Sequence, residues 1–215
     1  ALDEAKRELA TIVAHELRTP LVSISMVTEM LSTEMTRMEE DQVKEMLDIM
    51  QDGSKRLTRL TEQIVMYVQL ESGAMTDSAR LNVRPTLIRD LVIGAVKSAR
   101  ESQTRGGDIE ICFEESDPDA QIGGDSHSLK QALTEVVLNA ISFSDSGETV
   151  RIVQYVDEYD VVWLDIIDQG IGIPVEEQEA IFEAYHQVNR RKREQQGIGL
   201  GLTLARGIVG LHGGQ

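Results

Sequence analysis

Apolar positions in the first third of the chain recur at steps of three and four. Leu9, Ile12, Pro20, Ile24, Val27, Leu31 and Met35 form one such series, and Glu16 falls in step among them. After a polar break at Thr36 to Asp41, a second series runs through Val43, Met46, Met50, Gly53, Leu57, Leu60, Ile64 and Tyr67. This spacing predicts two helices of about 30 residues, each with one apolar stripe, folded back as a hairpin. Pro20 predicts a kink in the first of them. A hairpin that long offers too little surface to itself, so two copies pairing into a four-helix bundle is the expected state.

The period changes further along. Thr86 to Gln103 reads as a helix, and Asp108 to Glu114 alternates like a half-buried strand. Ser126 to Phe143 reads as a second helix with Ser126 as its cap. Thr149 to Val156 and Val161 to Ile167 read as neighbouring strands around a turn at Asp157 to Asp160. A last helix, from about Leu200 to Leu211, follows an irregular stretch from Gln169 to Gly199. A connection of that length in a compact domain is usually functional or mobile. The expected class is α+β: a helical part at 1–75, a linker at 76–84 and an α/β sandwich at 85–215.

Composition sharpens that boundary. All eight methionines precede residue 76, together with only two of the 17 glycines and one aromatic residue, Tyr67. Flexible aliphatics suit long helices, whereas glycine and aromatics suit turns and sheet. The 21 basic and 37 acidic residues leave a net charge of −16, divided as −6 before the boundary and −10 after it. That balance argues against nucleic acid and against an anionic membrane surface as direct partners. A single cysteine, Cys112, excludes an internal disulfide and any zinc site built from cysteines. No apolar run reaches the roughly 20 residues of a membrane span, and no signal peptide is present. The chain, which begins inside a helical pattern, reads as a cytoplasmic piece of a longer protein without direct membrane contact.

Four short runs carry chemistry. The first is A-H-E-L-R-T-P-L, Ala14 to Leu21. At about 100° per residue, His15 lies away from the apolar stripe, with Glu16 beside it and Thr19 one turn on along the same flank. The second is E-V-V-L-N-A-I-S-F-S, where Glu135 and Asn139 share a helix face. A carboxylate and an amide oxygen are hard ligands suited to a partly hydrated magnesium. In the third, D-Q-G-I-G-I-P, Asp168 follows an apolar strand and its glycines let a flat ligand approach. A carboxylate there can accept from an exocyclic amine. The fourth, Q-G-I-G-L-G-L, sets Gly197, Gly199 and Gly201 just before a helix, leaving backbone amides to face phosphate. Between the last two lie I-F-E-A-Y, Ile181 to Tyr185, and the basic run Arg190 to Arg193.

Residues 9–24 resemble the H box of the sensor histidine kinases, whose dimerisation domain is a helical hairpin. The second half is similar to the catalytic ATP-binding domain of the same kinases, within the GHKL ATPase superfamily. The resemblance covers essentially the whole chain, with the boxes in the family's order. It implies that His15 is phosphorylated from ATP, that Glu16 holds the other imidazole N–H or takes its proton, and that the group then passes to an aspartate on a response-regulator receiver domain. It gives Thr19 a second task, positioning a water that hydrolyses the partner's aspartyl phosphate. It makes Asn139 the magnesium ligand with Glu135 as helper, and lets Asp168 read the adenine amino group. Phe143, Gly170, Gly172, Ile173, Gly197, Gly199, Leu200, Gly201 and Leu202 complete the nucleotide site, and the stretch between the last two boxes is implied to be a mobile lid whose Arg190 and Arg191 steer phosphate. A homodimer is implied as well.

Several positions depart from the family pattern. Ser142 stands where a basic residue usually faces phosphate, Ser128 where an arginine is frequent, and Tyr185 where a second phenylalanine is commoner. The chain stops at H-G-G-Q, where the family continues into closing strands. Two other readings stay open at this level. An ATPase of the chaperone or mismatch-repair type would use Glu135 to activate water, but lacks the H-box hairpin. A scaffold that dimerises without using ATP would explain Ser142.

Overall fold

The computed structural model describes residues 2–74, 81–103, 108–188 and 197–215, with side chains from Ala10 onward. The basic run Arg190 to Arg193, and residues 75–80 at the expected linker, lie outside the described residues. The chain divides into two compact units: residues 1–65 with 189–198, and residues 66–188 with 199–215.

The first unit contains helix α1 (Leu2–Glu34), a 3-10 turn at Met35–Arg37, and helix α2 (Glu40–Glu71) up to Val65. The helices have 33 and 32 residues, close to the length the period predicts. α1 runs unbroken through Pro20, whose missing N–H leaves the Glu16 carbonyl without its usual helical donor. The apolar stripes are what the hairpin covers: Pro20, Val27, Gly53 and Leu60 are buried. At Gly53 the two helices meet closely. A Cβ there would lie 2.8 Å from Ile24 Cγ1 and 3.4 Å from the Pro20 carbonyl oxygen, so only glycine fits without displacing α1. Outside that seam, Leu21, Val22, Met26, Met35, Leu47 and Ile49 stay exposed.

The second unit begins with the last turns of α2. Two strands, β1 (Arg84–Leu87) and β3 (Gln121–Gly124), pair antiparallel. A second sheet sets β2 (Glu110–Glu115) parallel to β4 (Thr149–Val156), which pairs antiparallel with β5 (Val162–Ile167). Helices α3 (Ile88–Ser102), α4 (Ser126–Phe143) and α5 (Gly201–Leu211) complete it. Val150 and Ile152 of β4 share one core with Val92 of α3, Val137 and Ile141 of α4, and Ile208 of α5. Burying each such side chain contributes about 1.5–3 kcal/mol. Met66 and Leu70, at the end of α2, pack against that core. The opposite sheet face exposes Cys112, Glu114, Arg151, Tyr155, Trp163 and Ile167.

Three expectations are corrected. The helix expected from Thr86 starts at Ile88, because Arg84–Leu87 is a strand paired with the equally unforeseen β3. The cap of α4 is Asp125, not Ser126: its Oδ1 accepts from Ser128 N–H at 2.9 Å, and its Oδ2 from Asn82 N–H at 3.1 Å. Burial pushes the Asp125 carboxyl up, but these amides outweigh it and hold the group below the ordinary aspartate value. The stretch from Gln169 to Gly199 is not wholly irregular, having 3-10 turns at Val175–Glu177 and Ala180–Phe182.

Candidate functional site

On α1, His15 and Glu16 are adjacent in sequence but face opposite surroundings. The His15 side chain is 66% exposed, whereas that of Glu16 is only 9% exposed. Glu16 sits in the apolar stripe of α1, so its charge is turned toward α2. Arg56 meets it there, donating from Nη2 to Glu16 Oε2 at 2.8 Å. The other carboxylate oxygen, Oε1, lies 3.5 Å from His15 Nδ1. One carboxylate therefore spans a half-buried guanidinium and an exposed imidazole. Thr19 is exposed one turn on, its hydroxyl donating to the His15 carbonyl at 3.3 Å.

The sequence reading found His15, Glu16 and Thr19 but passed over Arg56. A signal for it was present. A carboxylate in step with an apolar stripe calls for a cation on the facing helix, and Arg56 borders Leu57 in the second stripe.

In the second unit, close approaches bring the remaining motifs together. Glu135 and Asn139 are half-buried on α4. A Cβ on Gly201 would lie 2.7 Å from Glu135 Oε2, which places that carboxylate against the first turn of α5. Leu200, at the N-cap position of that turn, makes no side-chain capping hydrogen bond. At the other end of α4, a Cβ on Gly170 would lie 2.4 Å from the Phe143 carbonyl oxygen. The D-Q-G-I-G run is thus pressed onto the last turn of α4, as only glycine allows. Asp168 folds back on this turn: its Oδ1 accepts from Gly170 N–H at 2.9 Å while the side chain stays exposed. Ile173 and Gly172 are exposed beside it, Leu200 is buried, and Leu202 and Phe143 are half-buried. Gly197 and Gly199 have φ values of 148° and 71°, the region that favours glycine.

The I-F-E-A-Y segment is tied to the glycine run. Tyr185 N–H donates to the Gly199 carbonyl at 2.9 Å, and a Cβ on Gly199 would lie 2.8 Å from the His186 carbonyl oxygen. Tyr185 itself holds φ at 68°. Its ring meets Tyr67 edge-on, with centroids 5.5 Å apart. The Tyr185 hydroxyl donates to that of Tyr67, which donates in turn to the Glu71 carboxylate. Burial, then the neighbouring Tyr67 and Glu71, push the Tyr185 phenol well above its ordinary value. His186 Nε2 and Glu177 Oε2 lie 2.6 Å apart in the same segment, and the Arg206 guanidinium stands 5.2 Å over the Phe182 ring. The departure at Tyr185 therefore has a structural partner, which a phenylalanine could not hold. Arg190 and Arg191 lie outside the described residues.

Two family models match this chain. Residues 5–73 match the model of the His Kinase A (phospho-acceptor) domain. Residues 124–215 match that of the histidine kinase-, DNA gyrase B-, and HSP90-like ATPase. The sensory/regulatory protein RpfC of Xanthomonas campestris pv. campestris is 34% identical over 99% of this chain, which spans only 29% of RpfC. Among solved structures, the mycobacterial sensor histidine kinase MprB is 29% identical, with a TM-score of 0.52 over 61% of this chain and 80% of that one. Histidine kinase ThkA, solved in complex with response regulator protein TrrA, shares the fold. It has a TM-score of 0.65 at 22% identity, over 96% of this chain and 55% of that one. No described helix is long and apolar enough to cross a membrane. With a phospho-acceptor domain followed by a HATPase domain, and a 34% identical relative aligned along 99% of this chain, the chain belongs to the sensor histidine kinases of two-component systems.

Proposed function

We propose that this chain phosphorylates itself on His15 from ATP and passes the group to an aspartate of a response-regulator receiver domain. The supporting observation is the exposed imidazole with a buried carboxylate oxygen 3.5 Å from its Nδ1. The ring nitrogen facing a carboxylate keeps the proton, so Nε2 carries the lone pair. In the transfer, Nε2 bonds to the γ-phosphorus as the bond to the β–γ bridging oxygen breaks, and ADP leaves with that electron pair. The positive charge gained by the ring is relieved as Nδ1–H is held by, or yielded to, Glu16 Oε1. In this structure the two atoms stand at ion-pair distance, and catalytic hydrogen bonds commonly tighten only with substrate in place.

In this reading residues 85–215 bind ATP, residues 1–75 dimerise and accept the phosphoryl group, and 76–84 join them. Asp168 has one oxygen committed to Gly170 N–H and the other available for the adenine amine. Gly170, Gly172, Ile173 and Phe143 flank the base. Gly197, Gly199, Leu200, Gly201 and Leu202 offer backbone amides to the phosphates, and Arg190 and Arg191 steer them. Asn139 and Glu135 suit a magnesium that takes its other ligands from phosphate and water; when bound, it neutralises charge on the transferring group. Asp168, Asn139 and the glycine run thus divide base recognition from phosphate recognition. The exposed Val22, Met26 and Leu47 are the surface a second copy covers in a four-helix bundle. Thr19, exposed beside His15, positions a water for hydrolysis of the regulator's aspartyl phosphate.

Incubation with γ-labelled ATP and magnesium tests the reading. The wild type takes up acid-labile, alkali-stable label, and neither His15→Ala nor Asn139→Ala does. Label that persists in His15→Ala refutes the assignment of the acceptor. Separately, Thr19→Ala is expected to lower regulator dephosphorylation while leaving His15 labelling intact.

A further inference from the structure

The proposed chemistry draws on α1 alone, yet the base it needs is held by α2. Among the described residues, Glu16 is the one charged residue that is buried, at 6% exposure. An isolated carboxylate in that position would be costly, and Arg56 is the cation that meets it. Its Nη2 grips Oε2 and leaves Oε1 turned toward His15. The residues of this clasp share one local geometry. Gly53 and Arg56 are three apart on α2, Glu16 and Pro20 four apart on α1, so each pair occupies one helix face. The absent side chain at Gly53 lets α2 approach the Pro20 carbonyl, one turn from where Arg56 reaches across.

Nor does Arg56 look optimised for stability. Its Nε is buried with no partner among the described residues, an N–H that water would satisfy in the unfolded chain. Buried ion pairs are in general weak sources of stability compared with apolar residues of the same volume. Such a pair, with a donor left unspent beside the phosphoacceptor, is better explained by what it does to Glu16.

We infer that Arg56 is a positioning residue for the phosphoacceptor: it fixes the Glu16 carboxylate so that Oε1 holds the Nδ1–H tautomer of His15 and leaves Nε2 free to attack. This rests on the reading of His15 given above. Without the guanidinium, Glu16 has no anchor on α2, and the imidazole loses the acceptor that selects its tautomer. ATP binding involves none of these groups, so the loss falls on the chemical step.

The experiment has one arm that needs no catalysis. Nitrogen-15 NMR of the His15 ring in the full chain reports the tautomer directly. The wild type is expected to show Nδ1–H in excess at a pH where the ring is neutral, and Arg56→Met to shift the population toward Nε2–H. An unchanged spectrum overturns the inference while leaving the kinase reading untouched. The kinetic arm measures autophosphorylation against ATP concentration. Arg56→Met should lower kcat about tenfold or more with KM for ATP unchanged. Arg56→Lys, which keeps a cation, should recover part of that loss. In a Glu16→Gln background, Arg56→Met should cost nothing further, because its target is already gone. An equal loss in both backgrounds, or a loss carried by KM, marks Arg56 as merely structural. A wild type that never labels His15 refutes the functional reading itself.

Discussion

Along the described hairpin, the buried apolar side chains are Pro20, Val27 and Leu60, whereas the α/β unit gathers a contiguous core around Val150 and Ile152 of β4. The hairpin accordingly leaves Leu21, Val22, Met26 and Leu47 more than a third exposed, and its most specific interior contact is an ion pair. The α/β unit instead seals its helices onto one sheet face. The contrast separates two ways of being built: one region gathers a core of its own, and the other leaves apolar surface for the proposed second copy to cover. It also separates the chemistry. The motifs proposed to bind nucleotide are held by close approaches at Gly170, Gly199 and Gly201, while His15, the proposed phosphoacceptor, stands beside a carboxylate gripped from the facing helix.

The largest test is Ile152→Ala, which opens a cavity in the α/β core. It should cost about 2–5 kcal/mol, read by urea unfolding, and abolish nucleotide binding near the midpoint. A loss under 1 kcal/mol, comparable to an ordinary surface change, would mean that β4 is not the centre of that core. Next is Gly53→Ala, whose Cβ collides with Ile24 at 2.8 Å. Prying the helices apart should cost about 1–3 kcal/mol by thermal melting and slow His15 labelling, although no chemical group is removed.

Asp125→Ala is smaller, about 1 kcal/mol for loss of the α4 cap. Its pH dependence has a definite sign. Because the folded carboxyl sits below its ordinary value, its contribution is complete above the unfolded aspartate range and disappears as pH falls through the depressed folded value. The difference in melting temperature between wild type and Asp125→Asn should therefore shrink on acidification. Smallest for the single chain is Met26→Ala on the open face of α1. It should change unfolding by no more than about 0.5 kcal/mol at high dilution, yet weaken self-association in sedimentation equilibrium. An equally small effect at every concentration would argue against a bundle partner on that face.

Much of this contrast was legible from residue order, because each helix stripe and each alternating strand writes its own period into the chain. The hairpin, α4, β4 and β5 follow from that. What escaped was set by contacts distant in sequence. β1 contains Pro85 and β3 ends in two glycines, so neither has the composition of a strand, and each exists because it pairs with the other. Asp125 outcompeted Ser126 as cap, being pinned also by Asn82 and by its own N–H donating to His212 Nε2 at 3.0 Å. Arg56 and Glu16 are 40 residues apart, joined only once the hairpin closes. The site motifs were readable because each is local; Tyr67, which meets Tyr185 from elsewhere, was not, and Arg56 was marked only indirectly, by the need of Glu16 for a facing cation.

The grip of Arg56 on Glu16 has a mechanical consequence. A helix advances about 1.5 Å per residue, and a hydrogen bond stretched by that much is lost. A contact of 2.8 Å between α1 and α2 therefore survives only while the two helices keep one register. Slide either by a single residue, or roll it by one position, and the carboxylate is released although no part of the phosphoacceptor turn has unfolded. On the role proposed for Glu16, the hairpin is a vernier: a small axial displacement is read out as the presence or absence of a fixed carboxylate beside His15.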